Sequence, residues 1–379
     1  MNILFVSCDA SRTGVPQVLL FLLQNIRKSF DNIVFDVLLQ EGGGCLGDFE
    51  EISNVYFLQK KKPLIKRFRK TILHHDIEYD YDFSIFRRKK YDLVYSNGIE
   101  SMLLVHHIHK YIPAPILLHV HESEFALDSF DIPSADISLC SHFIAAGNMV
   151  KEALIKKYKI DEKKIDVLIP FSNIIEKLIK NPPQKKKQDL FTIGSSGSMG
   201  WTKGTDLLPI IINRMAEKYP QIPLRFMHVG TIVPKDSRML KHDMARIGKQ
   251  HQLVTTGSVP MPLEYYGQFD VFLLLSREDS FPLAAIENAL MGTPVICMKD
   301  GSGIVEEFQK ADCAIVVPYL SIESICDAIF ALWSNQELNK ALGERGQRFF
   351  RGLFDEKSYT QTVIGIIRKT ISICPIVNM

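Results

Sequence analysis

The chain has 379 residues, of which 46% are hydrophobic and 23% charged, with a formal net charge of +2 at pH 7. At ~150 residues per domain this length predicts two or three domains, and the near-balanced charge points to no particular partner and excludes nucleic-acid binding through bulk basicity. No apolar run approaches the ~18–20 residues of a membrane span. Ser7-Cys8 faintly matches a lipoprotein site, but seven residues without a basic start cannot hold a signal peptide, so a cytoplasmic location is expected. Seven cysteines (8, 45, 140, 297, 313, 326 and 374) are scattered without a Cys-x-x-Cys, which argues for a reducing compartment, small buried hydrophobes and no structural zinc.

The first part of the chain alternates strand-like and helix-like segments. Residues 2–7 (NILFVS) form a buried-strand pattern, and residues 15–26 follow at helix length with Pro16 suited to a first turn. Residues 33–39 (IVFDVLL), 91–96 (YDLVYS) and 116–121 (ILLHVH) predict further strands. This is the βαβ rhythm of a parallel sheet covered by helices. Residues 60–70 interrupt it with Lys60, Lys61, Lys62, Lys66, Arg67, Arg69 and Lys70 interleaved with Leu64, Ile65 and Phe68. Basic residues mixed with apolar ones suit either a solvated loop or the surface of an anionic membrane. Asp80 and Asp82 form an acid-x-acid motif, but within a polar, aromatic insertion rather than after an apolar strand, which predicts a solvated loop.

Residues 180–189 (KNPPQKKKQD) predict a linker, with two prolines and a lysine run. Strand patterns then resume at 190–194, 224–230, 253–257, 271–276, 294–298 and 314–317. Two α/β halves joined by a linker place a cleft between their sheets, where ligands bind beyond the carboxyl ends of the strands. GSSGSMG, residues 194–200, spaces its glycines by three and is not a dinucleotide fingerprint.

The stretch SREDSFPLAAIE, residues 276–287, carries the sharpest signal. It places Asp279 and Glu287 on either side of an apolar helix start, with Pro282 suited to the first turn and Ser280 or Asp279 available as cap. Gly292 stops the helix. Asp279 then stands at the mouth of the cleft. Glu287 lies among Ile286 and Ala289, where an acid is costly unless it has a partner. The free amides of such a helix start suit an anion such as a ligand diphosphate.

SREDSFPLAAIENALMGTPVI closely resembles the signature of family-4 retaining glycosyltransferases (glycosyl transferases group 1). The resemblance implies the GT-B fold, two Rossmann-like domains with parallel sheets facing a central cleft. It implies that Asp279 lies beside a donor sugar, that Glu287 accepts from the ribose hydroxyls, and that Ser280, Phe281 and Leu283 line the donor between them. Asp279 stands where the family more often has Glu. GWTKGTD, residues 200–206, resembles the family's Lys-Gly segment, which puts Lys203 on the diphosphate; a lysine at such a turn also neutralises phosphate charge on physical grounds. The family's arginine five positions earlier is replaced by Ser198, and Arg12, in a loop that also carries Gly14 at the position of the family's glycine loop, is the candidate substitute. LHVHE, residues 118–122, ends a strand where the family places a histidine near the donor sugar, and His121 is the candidate. His119 faces the same way by alternation. Two histidines without a nearby Asp or Cys fall short of a zinc site, so no metal is expected. Residues 299–307 resemble the family's loop that brings a glutamate, here Glu306, near the nucleotide.

The expected division is an acceptor-side domain over 1–183, a nucleotide-sugar domain over 184–350, and a C-terminal helix over 351–379 returning to the first domain. The expected activity moves a sugar from a UDP- or GDP-sugar to the hydroxyl of a glycan or lipid-linked acceptor, in surface polysaccharide or glycolipid assembly. It proceeds with retention and without a cofactor, and residues 60–70 dock on the inner face of the cytoplasmic membrane. The alternatives on the same fold are a nucleotide-sugar epimerase and a non-catalytic protein that binds sugar or serves as a scaffold.

Overall fold

The computed structural model describes residues 1–57, 84–86, 89–130, 132–183, 189–249 and 252–373. The basic segment 60–70, Asp80 and Asp82 lie outside them. Seven strands form the first sheet: β1 (Asn2–Ser7), β2 (Val34–Leu39), β3 (Asn54–Phe57), β4 (Leu93–Asn97), β5 (Ile116–Val120), β6 (Cys140–Ala145) and β7 (Ile165–Val167). Six form the second: β8 (Phe191–Ser196), β9 (Leu224–Val229), β10 (Leu253–Thr255), β11 (Val271–Leu274), β12 (Val295–Met298) and β13 (Ala314–Val317).

Every pairing is parallel, in the orders β3-β2-β1-β4-β5-β6-β7 and β10-β9-β8-β11-β12-β13. Central strands buried on both faces need continuous apolar runs, and β4, β5, β11 and β12 are buried at every position. In both sheets the strand order reverses once, between β1 and β4 and between β8 and β11. These are the topological switch points beyond which α/β sheets bind ligands.

The sequence reading does not include β3, β6 and β7. β3 and β7 are only four and three residues long. β6 carries His142 in its interior, where the ring pairs with Asp166 of β7 at 2.7 Å, so a polar residue breaks the apolar run that marks a strand. The C-terminal helix Glu356–Ile373 packs on the first domain. Tyr359 lies 5.9 Å from the Phe21 ring of the helix Gly14–Ser29, and Lys369 reaches Asp166 at 3.2 Å. The six described cysteines are free, and five of them are buried.

Candidate active site

A cleft of about 410 Å³ lies between the two domains, beyond the carboxyl ends of β1, β5, β8 and β11. Arg12, Gly14, His121, Lys203, Asp279, Ser280, Phe281, Leu283 and Glu287 all line it. Residues from four separate segments of the chain are thus brought to one place. Ser198 lines the same cleft as Arg12, whose guanidinium donates to the Gly44 carbonyl at 3.0 Å.

Glu287 sits in the middle of the helix Leu283–Leu290 and is 5% exposed. No described residue hydrogen-bonds or ion-pairs with its carboxylate. Burial alone pushes its pKa up to about 7, because the charged form has lost water without gaining a protein donor. Nearby, the Tyr266 hydroxyl and Ser196 Oγ are 2.7 Å apart and line the cleft too.

Asp279 and Lys203 form an ion pair with each other, and Ser276 Oγ also donates to Asp279, at 3.3 Å. The lysine is held by an unusual turn. Gly204 has φ +65°, and a Cβ there would lie 1.9 Å from the Leu275 carbonyl oxygen, so the Lys203 loop rests directly on the backbone at the end of β11. Gly230 works similarly at the end of β9: its φ is +153° and a Cβ would lie 1.9 Å from the carbonyl oxygen of Gly197. Of the glycines in residues 194–200, Gly197 meets the Gly230 backbone closely at the cleft floor, and Gly194 makes room for the Phe269 ring.

His121 is 8% exposed, and burial lowers its pKa to about 3, so the ring is neutral at physiological pH. Asn97, at the end of β4, fixes its tautomer. The Asn97 amide nitrogen donates to the Val15 carbonyl at 3.2 Å, which turns its oxygen toward His121 Nε2 at 3.1 Å, so Nε2 carries the proton. The His119 ring lies 3.9 Å from that of His121 but is fully in the core, with Nδ1 2.7 Å from the Tyr95 hydroxyl. Among the described residues no group of three His, Cys, Asp or Glu side chains could hold a metal ion.

Several sequence expectations are corrected here. Pro282 is the N-cap rather than a first-turn residue, and no side chain caps the helix. Ser280 instead donates its hydroxyl across the cleft to the His121 carbonyl, and Phe281 packs against Gly147 of the first domain, where a Cβ would meet its ring at 3.3 Å. Both side chains therefore join the domains. Glu306 does not line the cleft; it accepts from Asn148 at 3.3 Å on the interdomain surface. Glu278, the acid beside the signature, accepts the Phe125 backbone N–H with both carboxylate oxygens, at 2.9 and 3.0 Å. Asn97, Ser196, Tyr266 and Glu278 were missed. The one signal for the first two was their place at the carboxyl end of a strand beside a switch point.

Two parallel-sheet domains facing one another across such a cleft define the GT-B architecture. HepE of Anabaena in its complex with UDP and glucose superposes with a TM-score of 0.77 over 97% of this chain and 99% of its own, at 15% identity. Residues 176–349 match the family described as Glycosyl transferases group 1. The D-inositol 3-phosphate glycosyltransferase of Kribbella flavida is 24% identical over 190 residues, 48% of this chain and 44% of that protein. A component of the human phosphatidylinositol N-acetylglucosaminyltransferase is 27% identical over 213 residues, 52% of this chain and 40% of that protein. The chain spans less than half the length of either relative.

Proposed function

We propose that this protein is a retaining glycosyltransferase that moves a sugar from a nucleotide diphosphate sugar to a hydroxyl acceptor. The observation that carries the reading is Glu287: a buried carboxylate that lines the cleft with no protein donor among the described residues. Ribose hydroxyls would supply the missing donors and make the charged form favourable. The HepE crystals hold UDP and UDP-glucose in a protein of the same fold, which supports a nucleotide sugar as donor.

The Lys203–Asp279 pair then acts as an exchange site. In the free protein each neutralises the other. An arriving diphosphate competes for Lys203, and Asp279, released, accepts from a donor-sugar hydroxyl beside neutral His121. Arg12 at the cleft rim and the uncapped first turn of the Leu283 helix offset the remaining phosphate charge. This division of labour lets protein groups carry the leaving-group charge without a metal.

The acceptor belongs to the first domain in this reading. The human relative is named for a phosphatidylinositol substrate, which supports a lipid-linked acceptor. No described helix is long and apolar enough to cross a membrane.

The test is a donor screen with UDP-, GDP- and ADP-sugars, reading nucleoside diphosphate release with and without candidate acceptors and the product anomer by NMR, with and without EDTA. Acceptor-dependent release with the donor's anomeric configuration, unaffected by EDTA, is expected. A free epimer of the donor would identify an epimerase. An inverted product, or loss with EDTA that a divalent ion restores, would overturn retention or metal independence respectively.

A further inference from the structure

A second groove of about 580 Å³ opens on the other side of the two loops that feed the donor cleft. The loop that gives Lys203 to the cleft gives Trp201 to this groove, and the loop that gives Asp279 gives Arg277 and Glu278. The first domain supplies the opposite wall through Glu124, Glu152 and Lys156.

Its surface is unusual for a soluble protein. Trp201 is 52% exposed and Tyr319 46% exposed, both lining the groove, and Phe125, 45% exposed, lies 5.0 Å from the Trp201 ring. Single exposed aromatics need no explanation, but several gathered at one groove do. The Trp201 ring is also held in place. The Arg277 guanidinium lies 5.1 Å from it, and that arginine is fixed by two 2.7 Å bonds to the Asp206 carboxylate and one of 2.7 Å to the Trp201 carbonyl. A rigid, exposed indole is a platform whose ordering cost has been met on folding.

The charges around it are uneven. Lys156 is committed to Glu124 at 2.7 Å, and Glu278 to the Phe125 amide. Glu152 and Asp300, also lining the groove, have no hydrogen-bond or ion-pair partner among the described residues. Aromatic faces pack on the C–H faces of pyranose rings, and ionised carboxylates accept from hydroxyl or ammonium groups. They repel an acidic ligand.

We propose that this groove is a saccharide-binding subsite for neutral or amino-bearing glycans, with Trp201 and Tyr319 as stacking platforms and Glu152 and Asp300 as acceptors. That the bound glycan is the distal part of the transfer acceptor rests on the transferase reading above; the binding itself does not.

The test uses the whole protein on an array of neutral, amino- and uronic-acid oligosaccharides, with Trp201→Ala and Tyr319→Ala beside wild type. Hits are titrated into Trp333→Phe, which leaves Trp201 as the sole tryptophan of the two in the chain, so its emission reports stacking directly. Retention of neutral or amino glycans is expected, with a shift in Trp201 emission and at least ~10-fold weaker binding in Trp201→Ala. Trp201→Ala should keep the circular-dichroism spectrum and the cooperative thermal unfolding of wild type, which shows that the variant is folded. No retained neutral or amino glycan, equal binding by Trp201→Ala, or a preference for uronic acids would overturn the subsite. Since no donor or turnover enters the assay, these outcomes leave the transferase reading standing, and failed turnover with intact glycan binding would do the reverse.

Discussion

Glu287 is where residue chemistry and function meet most closely. Its folded pKa of about 7 stands above an ordinary value of 4.5, a difference worth of order 3 kcal/mol at ~1.36 kcal/mol per unit. The sign follows from proton counting. Between pH 4.5 and 7 the folded state holds the Glu287 proton and the unfolded state does not, so stability falls as pH rises through this window. Glu287→Gln removes the effect. Its stability relative to wild type, from urea unfolding of the ligand-free proteins, should therefore rise from pH 4.5 to pH 8 by up to ~3 kcal/mol. A difference that stays constant with pH would mean that Glu287 is not buried without a donor. Lys203 gives a second residue-scale outcome. Lys203→Ala should weaken whichever of UDP and GDP binds wild type at least ~10-fold, as loss of a charge-assisted bond implies, and leave the bare nucleoside almost unchanged. Equal losses in calorimetry would reduce Lys203 to a structural partner of Asp279. Arg12, Gly14, His121, Lys203, Asp279 and Glu287 line one cleft in the structure, and that they would do so was legible chiefly through the resemblance of their motifs to a known family. The domain-joining roles of Ser280 and Glu278 were not, since their partners lie 159 and 153 residues away and no local spacing records such a contact.

At the scale of elements, strand ends and the turns after them build the site. All six strands of the second domain could be read from the sequence, most of them from their apolar runs and β10 from its β-branched Val254 and Thr255. In the first domain β6 could not, because His142 and Asp166 satisfy one another across strands. The start of the Leu283 helix was misjudged by one residue, since the Ser280 hydroxyl that reads as a cap is drawn away by the His121 carbonyl. The turn at Gly204 is the element most sensitive to change. Gly204→Ala adds left-handed strain and a Cβ only 1.9 Å from the Leu275 carbonyl oxygen, so the loop must lift off β11 and carry Lys203 with it. The variant should lose at least ~2 kcal/mol of stability and bind the nucleoside diphosphate about as poorly as Lys203→Ala. Thermal unfolding and calorimetry check both; wild-type behaviour in either would show that the contact between these loops is dispensable.

For the whole molecule, the cleft exists because two sheets present their switch points to one another; apolar packing joins the domains, Phe281 on Gly147 among it, and a few polar contacts bridge the cleft. Ser280 to His121, Glu278 to Phe125 and Asn148 to Glu306 can each be exchanged for water, which suits domains that open for a ligand. The basic segment 60–70 adds a membrane hypothesis at this scale. Wild type should co-sediment with anionic liposomes, more weakly at high salt, and a variant with Lys61, Lys62, Lys66, Arg67, Arg69 and Lys70 changed to Ser should not. Binding that ignores lipid charge, or survives in the variant, would point to a soluble acceptor. The central claim, however, is that the interdomain cleft holds a nucleoside diphosphate with its ribose on Glu287. Calorimetric titration of UDP and GDP into wild type and Glu287→Ala tests it most directly. One of the two should bind wild type, and the variant, still folded, should bind it ~10–100-fold more weakly. Failure of both to bind wild type, or equal affinity in the variant, would contradict the account.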